Sequence, residues 1–107
     1  MTTETDARAL YDAVAVELTA TSPAISGKMF GMPCLKSNGK AFAGYFKDSM
    51  IFKLTAPEHG EALALANARL FDPMGGRPMK EWIEVPVEHA ARWPTLARAA
   101  LRYVAKE

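Results

Sequence analysis

Few residues of this 107-residue chain are of types that do chemistry, and they stand apart from one another. His59 and His89 lie thirty residues apart at the starts of helical stretches, and neither has metal-ligand spacing with Cys34 or with a carboxylate. A metal site needs convergent ligands, so no metal is expected, and both histidines read as solvent-exposed helix-start residues. Cys34 would act as a nucleophile only as its thiolate; nothing nearby in sequence activates it, and on a strand it reads as a small hydrophobe. There is no G-x-S-x-G elbow, no C-x-x-C and no H-E-x-x-H, and Gly75-Gly76 does not sit between a strand and a helix as a phosphate loop does. No catalytic residue and no cofactor are expected.

The basic residues give a second candidate chemistry. Arg98, Arg102 and Lys106 recur every four residues, with Arg92 just before them, and such a stripe could track phosphates. A net charge of +1 supplies little nonspecific affinity for nucleic acid, and basic side chains near a helix C-terminus suit its dipole. The stripe therefore reads as a solvated face, and direct nucleic-acid binding is not expected. Arg77 stands between Gly75-Gly76 and Pro78, where its planar fork could anchor a loop or hold an anion. Trp82 and Trp93 could line a ligand pocket, but large aromatics in a small domain more often supply core area.

The elements between these residues must position them. Thr3 and Asp6 make a capping-box pattern, and Ala7, Leu10, Tyr11, Val14 and Leu18 share one helical face, which predicts a helix over residues 4–20. Ser22-Pro23 and Ser26-Gly27 end it. From 28 to 55 the period becomes that of strands, and Asn38-Gly39 favours a type I′ hairpin turn. That turn pairs Ser37 with Lys40, Leu35 with Phe42, and Gly31 with Phe46. A three-residue connection of Lys47, Asp48 and Ser49 then places Met50 opposite Phe46, Phe52 opposite Gly44 and Leu54 opposite Phe42. A two-residue connection would set Lys53 against Phe42, so hydrophobic consistency selects the longer one.

The core face is then Leu35, Phe42, Phe46, Met50, Phe52 and Leu54. The opposite face carries Met32, Cys34, Ala41, Ala43, Tyr45, Ile51 and Lys53, which is too apolar for a solvated sheet. Met32, Cys34, Ala43, Tyr45 and Ile51 are expected to form an exposed patch that docks another protein or a second copy, with a symmetric homodimer the commonest solution. Thr55-Ala56-Pro57-Glu58 opens a helix over 56–68, residues 69–80 read as a loop, and 81–85 as a short strand ended by Pro86. Trp93-Pro94 opens a last helix whose buried stripe is Ala97, Ala100, Leu101 and Val104. The order α-β-β-β-α-β-α implies an α+β fold in two layers, a mostly antiparallel sheet with helices packed on it.

Length and composition agree with one globular domain over residues 1–107. The chain is 50% hydrophobic and 23% charged, which excludes a disordered acidic tail, a basic arm and a collagen-like repeat. A single cysteine suits a reducing compartment, and the acidic N-terminus lacks the positive charge of a signal peptide. No apolar run reaches the roughly 18 residues of a spanning helix. A cytoplasmic protein without membrane contact is expected.

Met29-Phe30-Gly31, Asn38-Gly39-Lys40-Ala41-Phe42-Ala43 and above all Gly76-Arg77-Pro78-Met79-Lys80-Glu81-Trp82-Ile83-Glu84-Val85-Pro86 resemble the TfoX N-terminal domain family, and the similarity runs over nearly the whole chain. The resemblance implies a two-layer α+β domain associated with the Sxy/TfoX regulators of bacterial competence, here as a stand-alone domain without their C-terminal helical domain. It supplies no catalytic residues. Gly31-Met32-Pro33 with Asn38-Gly39-Lys40 is also similar to small iron-chaperone-like domains, which would require an acidic patch that these strands lack. The expected function is a non-enzymatic interaction module, regulatory by resemblance. The alternative is a small-molecule or anion-binding domain, or a minor enzyme, working through residues 69–82 with Arg77 and Trp82.

Overall fold

Apolar residues at three- and four-residue spacing form α1, Thr3–Thr21, and bury Ala7, Tyr11, Val14 and Leu18. The computed structural model describes residues 3–29, 31–72, 75–76 and 78–106. The Thr3 and Asp6 side chains of the capping pattern and the whole of Arg77 lie outside what it describes. Leu10, expected on the buried face, is 43% exposed, since it lies on the flank of the helix rather than its inner line.

Six strands follow: β1 Ile25–Met29, β2 Met32–Ser37, β3 Lys40–Phe46, β4 Ser49–Lys53, β5 Arg69–Phe71 and β6 Met79–Pro86. All neighbours are antiparallel, in the order β1-β2-β3-β4-β6-β5. Helix α2, Glu58–Leu63, lies between β4 and β5; a 3₁₀ segment, Val87–Arg92, leads into α3, Trp93–Ala105. The fold is α+β, with helices packed on an antiparallel sheet. Strands β1 and β5 were not expected. Ser26-Gly27, read as a breaker, is part of β1, and Gly27 has a use there: a Cβ would lie 3.2 Å from Cε of Lys36, whose stem crosses it. The helix expected over 56–68 is only one and a half turns long, and its N-terminus has no side-chain cap.

The hairpin register departs from the expected one at two points. Asn38 and Gly39 take φ of 53° and 79°, and Ser37 pairs with Lys40 as their I′ turn requires. Lys36 then faces Ala41 while Leu35 faces Ala43, so Phe42 is an extra, bulged residue rather than the partner of Leu35. A bulge turns two consecutive side chains to one side, and Phe42 and Ala43 are accordingly both buried in the helix-covered core. The β3–β4 connection holds only Lys47 and Asp48, with φ of 45° and 66°, and Phe46 pairs with Ser49. Ala43 thus faces Phe52, Gly44 faces Ile51, and Tyr45 faces Met50. The hydrophobic consistency sought from a three-residue loop is supplied by the bulge instead.

The sheet therefore has two apolar faces. Leu35, Phe42, Ala43, Met50, Phe52, Leu54, Ile83 and Val85 pack under the helices with α1, Ala62 of α2 and Trp93, Ala97 and Ala100 of α3. The Trp93 indole N–H donates to the Val85 carbonyl at 3.2 Å, which ties α3 to β6. A second cluster of Met32, Ile51, Phe71 and Trp82 fills the other side, flanked by Met29, Ala41, Phe46 and Met79. Phe46, expected in the first core, belongs here. Its ring meets Phe71 edge-on at 5.1 Å, although β3 and β5 have β4 and β6 between them. In a flat sheet those strands would be about 14 Å apart. The sheet curls around this cluster, and the curl covers it.

Candidate functional site

The expected docking patch is not on the surface. Met32 is 8% exposed, and Cys34, Ala43 and Ile51 are fully buried. Met32 and Ile51 are closed in by the curl, and Ala43 is turned under the helices by the bulge. Tyr45, half-buried, also belongs to the helix side: its ring lies 5.6 Å from Tyr11, with the Arg8 guanidinium 5.7 Å from its centroid. Its hydroxyl donates to Asp48 Oδ1 at 3.4 Å. Phe42 and Tyr45 thus share one core, which the unbulged register did not allow.

The groups picked out for their chemistry are engaged in architecture. His59 Nε2 donates to the Lys80 carbonyl at 2.7 Å, and His89 Nε2 to the Ala66 carbonyl at 2.8 Å. Both rings are half-buried clips between distant segments, not solvated helix-start residues. Burial pushes the Cys34 thiol above its ordinary range against the weaker pull of Lys36, so it is protonated and a poor nucleophile at neutral pH. Burial likewise raises the Tyr11 hydroxyl, with Cys34 adding to the effect and Arg8 opposing it. Among the described residues, no three His, Cys, Asp or Glu side chains gather as a metal site would require. In the basic stripe, Arg98 pairs with Glu17 at 2.7 Å and Arg102 with Glu58 at 4.0 Å. Trp82, 7% exposed, is part of the second cluster.

Concave regions lined by described residues include two of interest. One, of about 800 Å³, lies at the base of the 69–82 segment and is lined by Phe46, Lys47, Arg69, Asp72, Gly75 and Glu84. There Arg69 Nε pairs with Glu84 Oε1 at 3.4 Å, and Asp72 accepts from the Gly75 and Gly76 backbone N–H groups at 2.9 and 2.8 Å. Glu84 is a nearly buried carboxylate at mid-strand, and only its alternation with Ile83 and Val85 marked it in the sequence. The other, of about 390 Å³, is a groove between α2 and α3 with Ala62, Leu65, Leu96 and Ala99 at its base and charged residues on its rims. The spacing that builds this groove is visible in the sequence. Glu58, Glu61, Ala62 and Leu65 repeat at i, i+3, i+4 and i+7, as do Arg92, Thr95, Leu96 and Ala99.

Comparison with protein-family models, with curated proteins and with solved structures finds no match to this chain. Among the described residues, no helix is long and apolar enough to cross a membrane.

Proposed function

We propose that the protein is a non-enzymatic, cytoplasmic interaction module of the TfoX N-terminal type, which binds another protein or a second copy of itself. The observation that supports it is that α1 is apolar on both sides. Its inner line is buried, and Ala9, Ala13, Val16 and Ala20 form an outer line in water, with Val16 67% exposed. Arg8, Asp12 and Thr19 on one flank and Glu17 on the other separate the two lines, and an apolar line left in water between polar flanks is a surface that a partner can cover. The edge strand β1 adds Ile25, 59% exposed, on a sheet edge whose outer backbone groups are open to pairing. The interaction surface in this reading is the outer side of α1 with β1, in place of the patch around Met32 and Ile51. A role in competence or transcription rests on the TfoX resemblance alone, which residues 76–86 carry most specifically.

Sedimentation of the purified protein, with affinity capture from bacterial lysate, tests the reading. A mass above the 11.7 kDa monomer, or a captured protein, should be lost in the double variant Val16→Glu, Ile25→Lys while circular dichroism is retained. A strict monomer at roughly 100 μM with identical capture by both forms would refute it. A second reading, a small-molecule or anion-binding domain or minor enzyme using residues 69–82, is favoured by the hollow that brings Lys47 and Arg69 together. Inorganic phosphate should then shift the backbone NMR signals of Lys47, Arg69 and Gly75, and silence there removes it.

A further inference from the structure

The α2–α3 groove carries two opposite charges with no ion-pair partner among the described residues. Among the described residues, the Glu61 and Arg92 side chains make no ion pair or hydrogen bond, although both line it. The groove is held at both ends. Glu58 Oε2 and Arg102 Nη2 meet at 4.0 Å at one end, while His89 donates to the Ala66 carbonyl at 2.8 Å and Asn67 to Glu88 at 3.3 Å at the other. These clamps make the two walls antiparallel, so Glu61, one turn in from the first clamp, comes level with about Ala99. Arg92 is seven residues before Ala99 and near the second clamp, about 10 Å along a helical wall. Between them the base is apolar, formed by Leu65 and Leu96 over the small residues Ala62 and Ala99.

A ligand matched to this pattern carries a cation at one end, an anion at the other and an apolar span of roughly 6 to 10 Å between. In a free amino acid the two charges are adjacent and cannot reach both. We propose that the α2–α3 groove binds short apolar peptides of two or three residues by their free termini. The terminal ammonium meets Glu61, the terminal carboxylate takes the planar fork of Arg92, and an apolar side chain lies against Leu65 and Leu96. The volume of about 390 Å³ falls within the range of small-ligand sites. This site is on other elements than the α1–β1 surface and stands or falls independently of the interaction reading.

The tripeptide Ala-Leu-Ala, titrated into the ¹⁵N-labelled protein, should produce saturable NMR shifts confined to residues 58–65 and 91–102. Acetylating its N-terminus or amidating its C-terminus should each weaken binding about threefold to tenfold, because each removes one charge-assisted contact near the surface. Free leucine should give no saturable shift. Glu61→Gln should abolish discrimination against the acetylated peptide and keep that against the amide; Arg92→Gln should do the reverse. Both substitutions are at exposed positions, and circular dichroism checks that the fold is kept. Equal binding of a doubly blocked peptide, shifts centred elsewhere, or none up to about 10 mM peptide would each overturn the proposal.

Discussion

Introducing a carboxylate at Ala43 and, separately, at Ala41 tests the bulge at Phe42. In an unbroken strand the two positions share a face, and Glu at either would cost the same. The bulge separates them: Ala43 is fully buried in the helix-side core, whereas Ala41 is half-buried at the margin of the second cluster. An ionised carboxylate inside that core has no cation to pair with among its buried neighbours, and the effective penalty is several kcal/mol. The added side-chain atoms cost about 1 to 3 kcal/mol more through overpacking. The sum, about 5 kcal/mol or more, approaches the whole stability of a domain of this size, about 5 to 15 kcal/mol. Ala41→Glu can swing its carboxylate to water and should cost about 1 kcal/mol. Urea melting followed by the fluorescence of the two buried tryptophans, Trp82 and Trp93, reads both. With a slope of about 1 to 3 kcal/mol per molar urea, Ala43→Glu should lower the midpoint by about 2 M or leave no transition. Equal losses for the two variants would refute the bulged register.

Phe52→Ala, at a fully buried position of the same core, should cost about 3 to 5 kcal/mol in the same assay. Lys47→Gly should stabilise by about 0.5 kcal/mol or more, since Lys47 is exposed with φ of 45° and glycine relieves the left-handed strain, less a weak contact of its ammonium with the Phe46 ring. Cys34 should resist alkylation at neutral pH in the folded protein and react once urea unfolds it. Its thiol is raised above the ordinary 9.0, so the unfolded chain ionises first as pH rises; the stability this confers is present below about pH 9 and lost above it. Wild type should lose stability above pH 9 more steeply than Cys34→Ala, and parallel curves would show that burial of the thiol carries no such linkage.

What the sequence determined by itself was the local part. Helix α1 follows from apolar spacing within a single element, and the Asn38-Gly39 turn from the backbone freedom of two residues, so both are legible without knowing what packs on them. The α+β class followed from the order of such elements. Tertiary structure decided which side of the sheet each strand residue faces, because one bulge at Phe42 shifts alternation beyond it, and the cost of that bulge is offset by the helices that bury Phe42 and Ala43 together. It also decided that residues 69–71 are a strand: three residues cannot declare themselves by period, and β5 exists because β6 supplies its hydrogen bonds. The same holds for the candidate sites. The apolar second face was visible in the sequence as a surface needing a cover, but only the curl that brings Phe46 against Phe71 shows that the sheet covers it itself. Glu61 and Arg92 are thirty-one positions apart and each alone reads as a solvated charge; the antiparallel clamping of α2 against α3 places them on one groove. Pairing at that sequence distance depends on the path of the whole chain between them, which no local spacing encodes.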